Sequence, residues 1–118
     1  MTAPKFIYVL IEASVLRSAS TCGFYLPPKF HDEGFIHAST RDQILKSASQ
    51  FYGASTELLV LEIDISVLSS PLLFEPGRSG TLYPHIYGPL TLGEVSRALP
   101  ILKDDSGCFV LPQDLRHA

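Results

Sequence analysis

The sequence predicts an α+β fold with a split, largely antiparallel β core and two main helices, and three observations lead there. Runs of β-branched and aromatic residues outnumber helical patterns. The elements come as strand, helix, strand, helix and then mostly strands, not in the steady alternation that a doubly wound parallel sheet needs. Nine Pro and eight Gly are spread as punctuation between short segments, with no stretch that reads as a linker. At 118 residues, 46% of them hydrophobic, the chain is read as one domain over 1–118 that buries its own core, with neither metal nor disulfide needed for folding.

Taken in order, Phe6-Ile7-Tyr8-Val9-Leu10-Ile11 predicts a strand over 5–11, apolar throughout and therefore buried on both faces and central. Glu12 to about Ala19 carries Val15 and Leu16 at a helical offset, and Gly23 with Pro27-Pro28 ends that helix. A short strand over 34–38 follows. The main helix is expected over 40–52, opened by Thr40 at N-cap and Gln43 at N3 in a capping box. Ile44, Leu45, Ala48, Phe51 and Tyr52 form its apolar face, and Gly53 closes it as a C′ residue. Leu58 to Ile65 alternates, with Leu59, Leu61, Ile63 and Ile65 on one side and a second side that turns polar at Glu62 and Asp64. Strands over 71–75 and 94–102 come next, with weaker ones at 82–87 and 108–111, separated by Gly77-Arg78-Ser79-Gly80, Gly88-Pro89 and Asp104-Asp105-Ser106-Gly107 turns.

The net charge is −3, and the basic residues are scattered from Lys5 to Arg116 without a run. Phosphate-backbone affinity comes from clustered positive charge, so no nucleic-acid partner is expected. The apolar run from Phe6 to Ile11 is too short for a signal core or a membrane span, so a soluble, cytoplasmic protein is expected. Cys22 and Cys108 stand in no CxxC and no zinc spacing, and read as free buried thiols. Neither GxGxxG nor GxxxxGK[ST] occurs, which removes the two common nucleotide-phosphate loops.

Two stretches carry chemistry. In Glu33-Gly34-Phe35-Ile36-His37-Ala38-Ser39-Thr40, strand alternation puts Phe35, His37 and Ser39 on one face. The helix that starts at Thr40 then presents free backbone N–H groups suited to an anion such as phosphate. The plainer alternative is that Ser39 and Thr40 only cap a helix while His37 packs beside Phe35. In Leu82-Tyr83-Pro84-His85-Ile86-Tyr87-Gly88-Pro89-Leu90, alternation puts Tyr83, His85 and Tyr87 on one face, two phenols flanking an imidazole. Pro84 has no N–H to donate, so the segment is expected at a sheet edge or in an irregular loop. The plainer alternative there is half-buried tyrosines with wet hydroxyls.

These stretches, Gly-Phe-Ile-His-Ala-Ser-Thr at 34–40 and Tyr-Pro-His-Ile-Tyr-Gly-Pro-Leu at 83–90, with Leu-Glu-Ile-Asp at 61–64 and Phe-Glu at 74–75, resemble the bacterial DUF952 family of unknown function. The resemblance runs from about Lys5 to Leu102 and implies an ADP-ribosylation-type fold, as in mono-ADP-ribosyltransferases and RNA 2′-phosphotransferases. In those enzymes a cleft between two sheets holds NAD or an ADP-ribose-like group, and Ser39-Thr40 is similar to the Ser-Thr-Ser element that shapes it. Ile7-Tyr8 is followed by Val9, where members of the family often carry His or Lys. No Glu-x-Glu occurs, which leaves Glu75 and Glu94 as the carboxylates available to a ribose hydroxyl.

The favoured reading is a single cleft that binds a nucleotide or ADP-ribose-like ligand. Gly34, Ser39 and Thr40 would hold an anionic group, Tyr83 and Tyr87 would flank a ring, and Glu75 would meet the sugar, while His37 and His85 supply hydrogen bonds that change with protonation. One alternative is an enzyme of ADP-ribosyl or RNA 2′-phosphate transfer in which His37 or His85 is the general acid/base. The other is a metal site of His31, His37, His85 and Glu33, ligand types without diagnostic spacing; no metal cofactor is expected.

Overall fold

The computed structural model describes residues 4–116. Strand β1 (Phe6–Glu12) leads into helix α1 (Ala13–Cys22), the two-residue strand β2 (Phe24–Tyr25), a single turn of helix α2 (Phe30–Glu33) and strand β3 (Ile36–His37). A 3-10 turn (Arg41–Gln43) then opens helix α3 (Ile44–Tyr52). Strands β4 (Leu58–Asp64), β5 (Leu72–Pro76), β6 (Leu82–Ile86), β7 (Leu90–Thr91), β8 (Val95–Lys103) and β9 (Phe109–Val110) complete the chain, with 3-10 turns at Ile65–Val67, Leu92–Glu94 and Gln113–Leu115.

Every strand pairing is antiparallel, in a four-stranded sheet of order β1-β4-β8-β9, a three-stranded sheet β3-β6-β5 and the small pair β2-β7. The α+β expectation therefore holds, with few helices and an antiparallel sheet that curls. The curl has an identifiable seam. Just past β3, Ser39 exchanges two backbone hydrogen bonds with Tyr8 at 2.7 and 2.8 Å, so the three-stranded sheet runs on into the four-stranded one along β1.

That seam corrects the central placement of the first strand: β1 is the terminal strand of its own sheet, yet Ile7 to Ile11 are all buried. Ile7, Val9 and Ile11 with Leu61 and Ile63 face one core cluster, covered by Ala19 of α1 and by Ile36 and Ile86 of the outer sheet. Tyr8, Leu10 and Val60 face a second cluster, covered by Ile44 and Ala48 of α3 and by Phe109 and Leu115. Burying one such aliphatic side chain contributes about 1.5–3 kcal/mol, so these two strands, apolar on both faces, are where the fold is strongest.

Other expectations shift for local reasons. The strand over 34–38 is only Ile36–His37, because Gly34 (φ 81°) still serves as the left-handed cap of α2 and the backbone turns toward β1 after Ala38. The helix over 40–52 begins with the 3-10 turn that the Thr40/Gln43 capping box fixes. Gly53 has φ −53° and stays right-handed, so it is not a left-handed C′ glycine. Within α3 the core takes Ile44 and Ala48, while Leu45 and Phe51 of the expected apolar face are exposed. Cys22 and Cys108 are free, as expected, but exposed and not buried, each lying at the end of an element beside a turn.

Candidate functional site

Strand β6 is the middle strand of the outer sheet, not the edge or loop anticipated from Pro84. The reason lies in the direction of one missing donor. A strand residue's N–H and C=O point to the same neighbour, and Pro84 O points to β3, accepting from Ala38 N at 3.0 Å. The absent N–H would have met Ala38 in return, and there the partner chain departs for β1. On its other side Pro84 sits opposite Phe74 of β5, where no bond from it is required. Proline thus ends the β3–β6 pairing after two residues without breaking the β5–β6 ladder.

This register places His37 directly opposite His85. Since Ala38 and Pro84 occupy a hydrogen-bonding position, the histidines form the adjacent non-bonding pair, the type in which Cα atoms approach to about 4.5 Å. The two rings stand edge-to-face with centroids 5.5 Å apart. Phe35 stacks on His85 at 3.9 Å with 14° between the planes, meets His37 edge-on at 4.9 Å, and reaches Tyr87 at 5.5 Å. From α3, Phe51 adds a ring 6.2 Å from His37.

Each imidazole is oriented by a carboxylate. His85 Nδ1 lies 2.8 Å from Glu75 Oε1 of β5, and His37 Nε2 lies 3.1 Å from both oxygens of Glu33 on α2. A carboxylate only accepts, so Glu75 fixes the proton of a neutral His85 on Nδ1 and leaves Nε2 as the free nitrogen. Tyr87 OH also donates to Glu75 Oε1. The bonds from Tyr87 and His85 hold the Glu75 carboxyl below its usual range, and the same bond raises the Tyr87 phenol. Side-chain exposure is 54% for His37 and 11% for His85, so one ring is open to solvent and the other is backed by Phe35. Two cavities, of about 350 Å³ beside Leu102 and Val110 and about 230 Å³ beside Leu16 and Val95, lie away from this face.

The structure thus brings together His37, His85, Glu75 and Tyr87 of the expected site. Ser39 is 4% exposed, with its Oγ bonded to Ser47 Oγ at 3.1 Å. The Thr40 amide is satisfied by Gln43 Oε1 at 3.0 Å, and Gln43 Nε2 reaches across to Leu82 O at 2.8 Å. Gly34 caps α2, and the Tyr83 ring turns toward Gly77, where an added Cβ would stand 3.0 Å from it. Of the proposed metal ligands, His31 is exposed on α2 and outside the cluster, and among the described residues no three His, Cys, Asp or Glu side chains converge on a metal position. Phe51, expected on the apolar face of the helix, instead joins the i, i+4, i+8 row Gln43, Ser47, Phe51, whose members meet Leu82, Ser39 and His37 in turn.

The family model described as a protein of unknown function, DUF952, matches residues 10–98. The chain belongs to the DUF952 family. This DUF952 member is similar to the crystal structure of protein CC0527 from Caulobacter crescentus, with 27% identity, a TM-score of 0.84 and coverage of 93% of this chain and 97% of that one. It is likewise similar to the solution NMR structure of CC0527, with 27% identity, a TM-score of 0.78 and coverage of 98% and 97%. No curated protein matches the chain.

Proposed function

We propose that the face made by Phe35, His37, His85 and Tyr87 binds a small ring-bearing molecule and that His85 exchanges a proton with it. The observation that carries this reading is the oriented imidazole: Glu75 holds Nδ1, so Nε2 has no protein hydrogen-bond partner and, with no unpartnered side-chain nitrogen fully buried among the described residues, keeps contact with solvent beside an aromatic surface. An ADP-ribosylation-type fold belongs to the same proposal. It is supported by the curled antiparallel sheet and by Ser39-Thr40 at its seam, and it makes ADP-ribose-like compounds and nucleotides the first ligands to try.

The test is a thermal-shift panel of NAD, ADP-ribose, nucleotides and inorganic phosphate, where a ligand at 100 times its Kd adds about 2.7 kcal/mol of stability. A shift that His85→Ala abolishes while keeping the unliganded melting point near wild type supports the reading. A shift unchanged in His37→Ala and His85→Ala moves the site elsewhere. A second reading, an enzyme using both imidazoles as acid and base, is favoured by their 5.5 Å separation and is separated from simple binding by product formation from NAD.

A further inference from the structure

We infer that the molecule taken up at the His37–His85 face is a flat organic cation; this rests on the reading of that face as a site for a ring-bearing ligand. The titratable groups that face the cluster come from four elements: Glu33 on α2, His37 on β3, Glu75 on β5, and His85 on β6 with Tyr87 just after it. From α3 the nearest ring is the uncharged Phe51. Among the described residues neither carboxylate is paired with a Lys or Arg; the ion-pair partner of each is an imidazole. With the imidazoles neutral, the face therefore carries two carboxylate charges that no Lys or Arg within ion-pair distance compensates.

A negatively charged group placed against these rings would face both carboxylates without a guanidinium or ammonium paired to them, so the phosphates of a nucleotide-like ligand would lie off this face and only its ring on it. The nearby helix start offers little compensation, because the Thr40 amide is bonded to Gln43 and Ser39 is buried. A cation gains from both carboxylates and from the electron-rich faces of the surrounding rings. Phe51 is the placement that most needs a ligand to account for it. The ring is 60% exposed beside His37, on a helix that buries Ile44 and Ala48 and leaves Leu45 exposed to a lesser degree. A planar cation lying between Phe51 and the Phe35/His37 edge would cover that ring and sit within the field of Glu33.

The experiment compares three bicyclic probes of one size, 1-methylquinolinium, quinoline and quinoline-2-carboxylate, by NMR of the His37 and His85 ring protons at about pH 8. The cation is expected to bind at least about tenfold more tightly than the other two, and Glu33→Gln and Glu75→Gln each to weaken it about fivefold relative to quinoline, as for a unit charge near 4 Å in water. Equal or tighter binding of quinoline or the carboxylate at the same ring protons would overturn the charge assignment and leave the site standing. No perturbation of either imidazole by any of the three would overturn both. Because each variant also loosens its imidazole, the decisive readout is the ratio of cation to quinoline affinity: a ratio unchanged in Glu33→Gln refutes the inference.

Discussion

At the scale of single residues, Glu62 shows how a buried charge is tolerated. Tyr8, Glu62 and Arg97 stand opposite one another across β1, β4 and β8, so their side chains share one face of the sheet. The Glu62 side chain is 5% exposed, and it accepts Arg97 Nε at 2.9 Å, Arg97 Nη2 at 2.8 Å and Tyr8 OH at 3.3 Å. Burial and then the Glu62 charge push the Tyr8 phenol up, so it remains a donor. Removing one partner of such a pair costs more than the pair is worth, because the remaining charge is left uncompensated. Arg97→Ala is therefore expected to lower the melting temperature by about 5–10 °C, while the double variant Glu62→Leu/Arg97→Leu recovers most of that loss. Thermal unfolding followed by circular dichroism checks both, and a double variant as unstable as the single one would refute the account. In the sequence Glu62 reads only as the polar side of an alternating strand. Alternation tells which face a residue takes, but not that a strand arriving 35 residues later will cover it.

Among the elements, the 3-10 turn at Leu92–Glu94 acts as a clasp. Glu94 Oε1 accepts the Thr91 amide at 3.0 Å within a capping box, and Oε2 accepts the Ser69 amide at 2.6 Å from the connection that follows β4. Burial opposes ionisation of Glu94, but the hydrogen bonds from Thr91 and Ser69 outweigh it and its carboxyl titrates below the usual range. A folded-state value below the unfolded one contributes stability that is complete above the ordinary carboxylate range and is lost as pH falls through the folded value. Glu94→Gln is thus expected to melt a few degrees lower at neutral pH and to lose less than wild type between about pH 5 and 3, as read from melting temperature against pH. Parallel acid limbs would show that the clasp is not the titrating group. The Thr40/Gln43 capping box is legible because a cap is written within four residues; the same local pattern at Thr91-Leu92-Gly93-Glu94 competes with the strand expected over 94–102. The interior position of β6 was not legible, since Pro84 declares a missing donor but not which neighbour that donor would have faced.

Across the whole molecule, the two sheets differ in what holds them, and the candidate site lies on the weaker one. Strands β1 and β4 carry core on both faces, whereas β5 is an edge strand with Leu73 and Phe74 exposed, and β3 pairs over two residues. Only one face of the outer sheet, Ile36, Leu72 and Ile86, packs on the core; the opposite face carries His37, Glu75 and His85. That division also explains what sequence could supply: the alternation of His37 and His85 against Ile36 and Ile86 is local and was readable, whereas the contact between the histidines depends on where two distant strands pair. Local opening free energies follow burial, so amides of β5 and β6 are expected to exchange with solvent through a partial opening, well before those of β1 and β4, which should exchange only on global unfolding. Native-state hydrogen exchange against denaturant measures this directly, and identical opening energies in the two sheets would show a single cooperative unit across the Tyr8–Ser39 seam. The same measurement also bears on the site. A molecule bound at the His37–His85 face binds only states in which the outer sheet is folded, so it should slow the partial opening that exposes β5 and β6, and the global unfolding that exposes β1 and β4, by the same factor of one plus the ratio of ligand concentration to Kd. Slowing of the partial opening of β5 and β6 by a ligand, lost in His85→Ala, ties binding to the element whose stability is lowest, whereas slowing of β1 and β4 alone would place the ligand off the outer sheet.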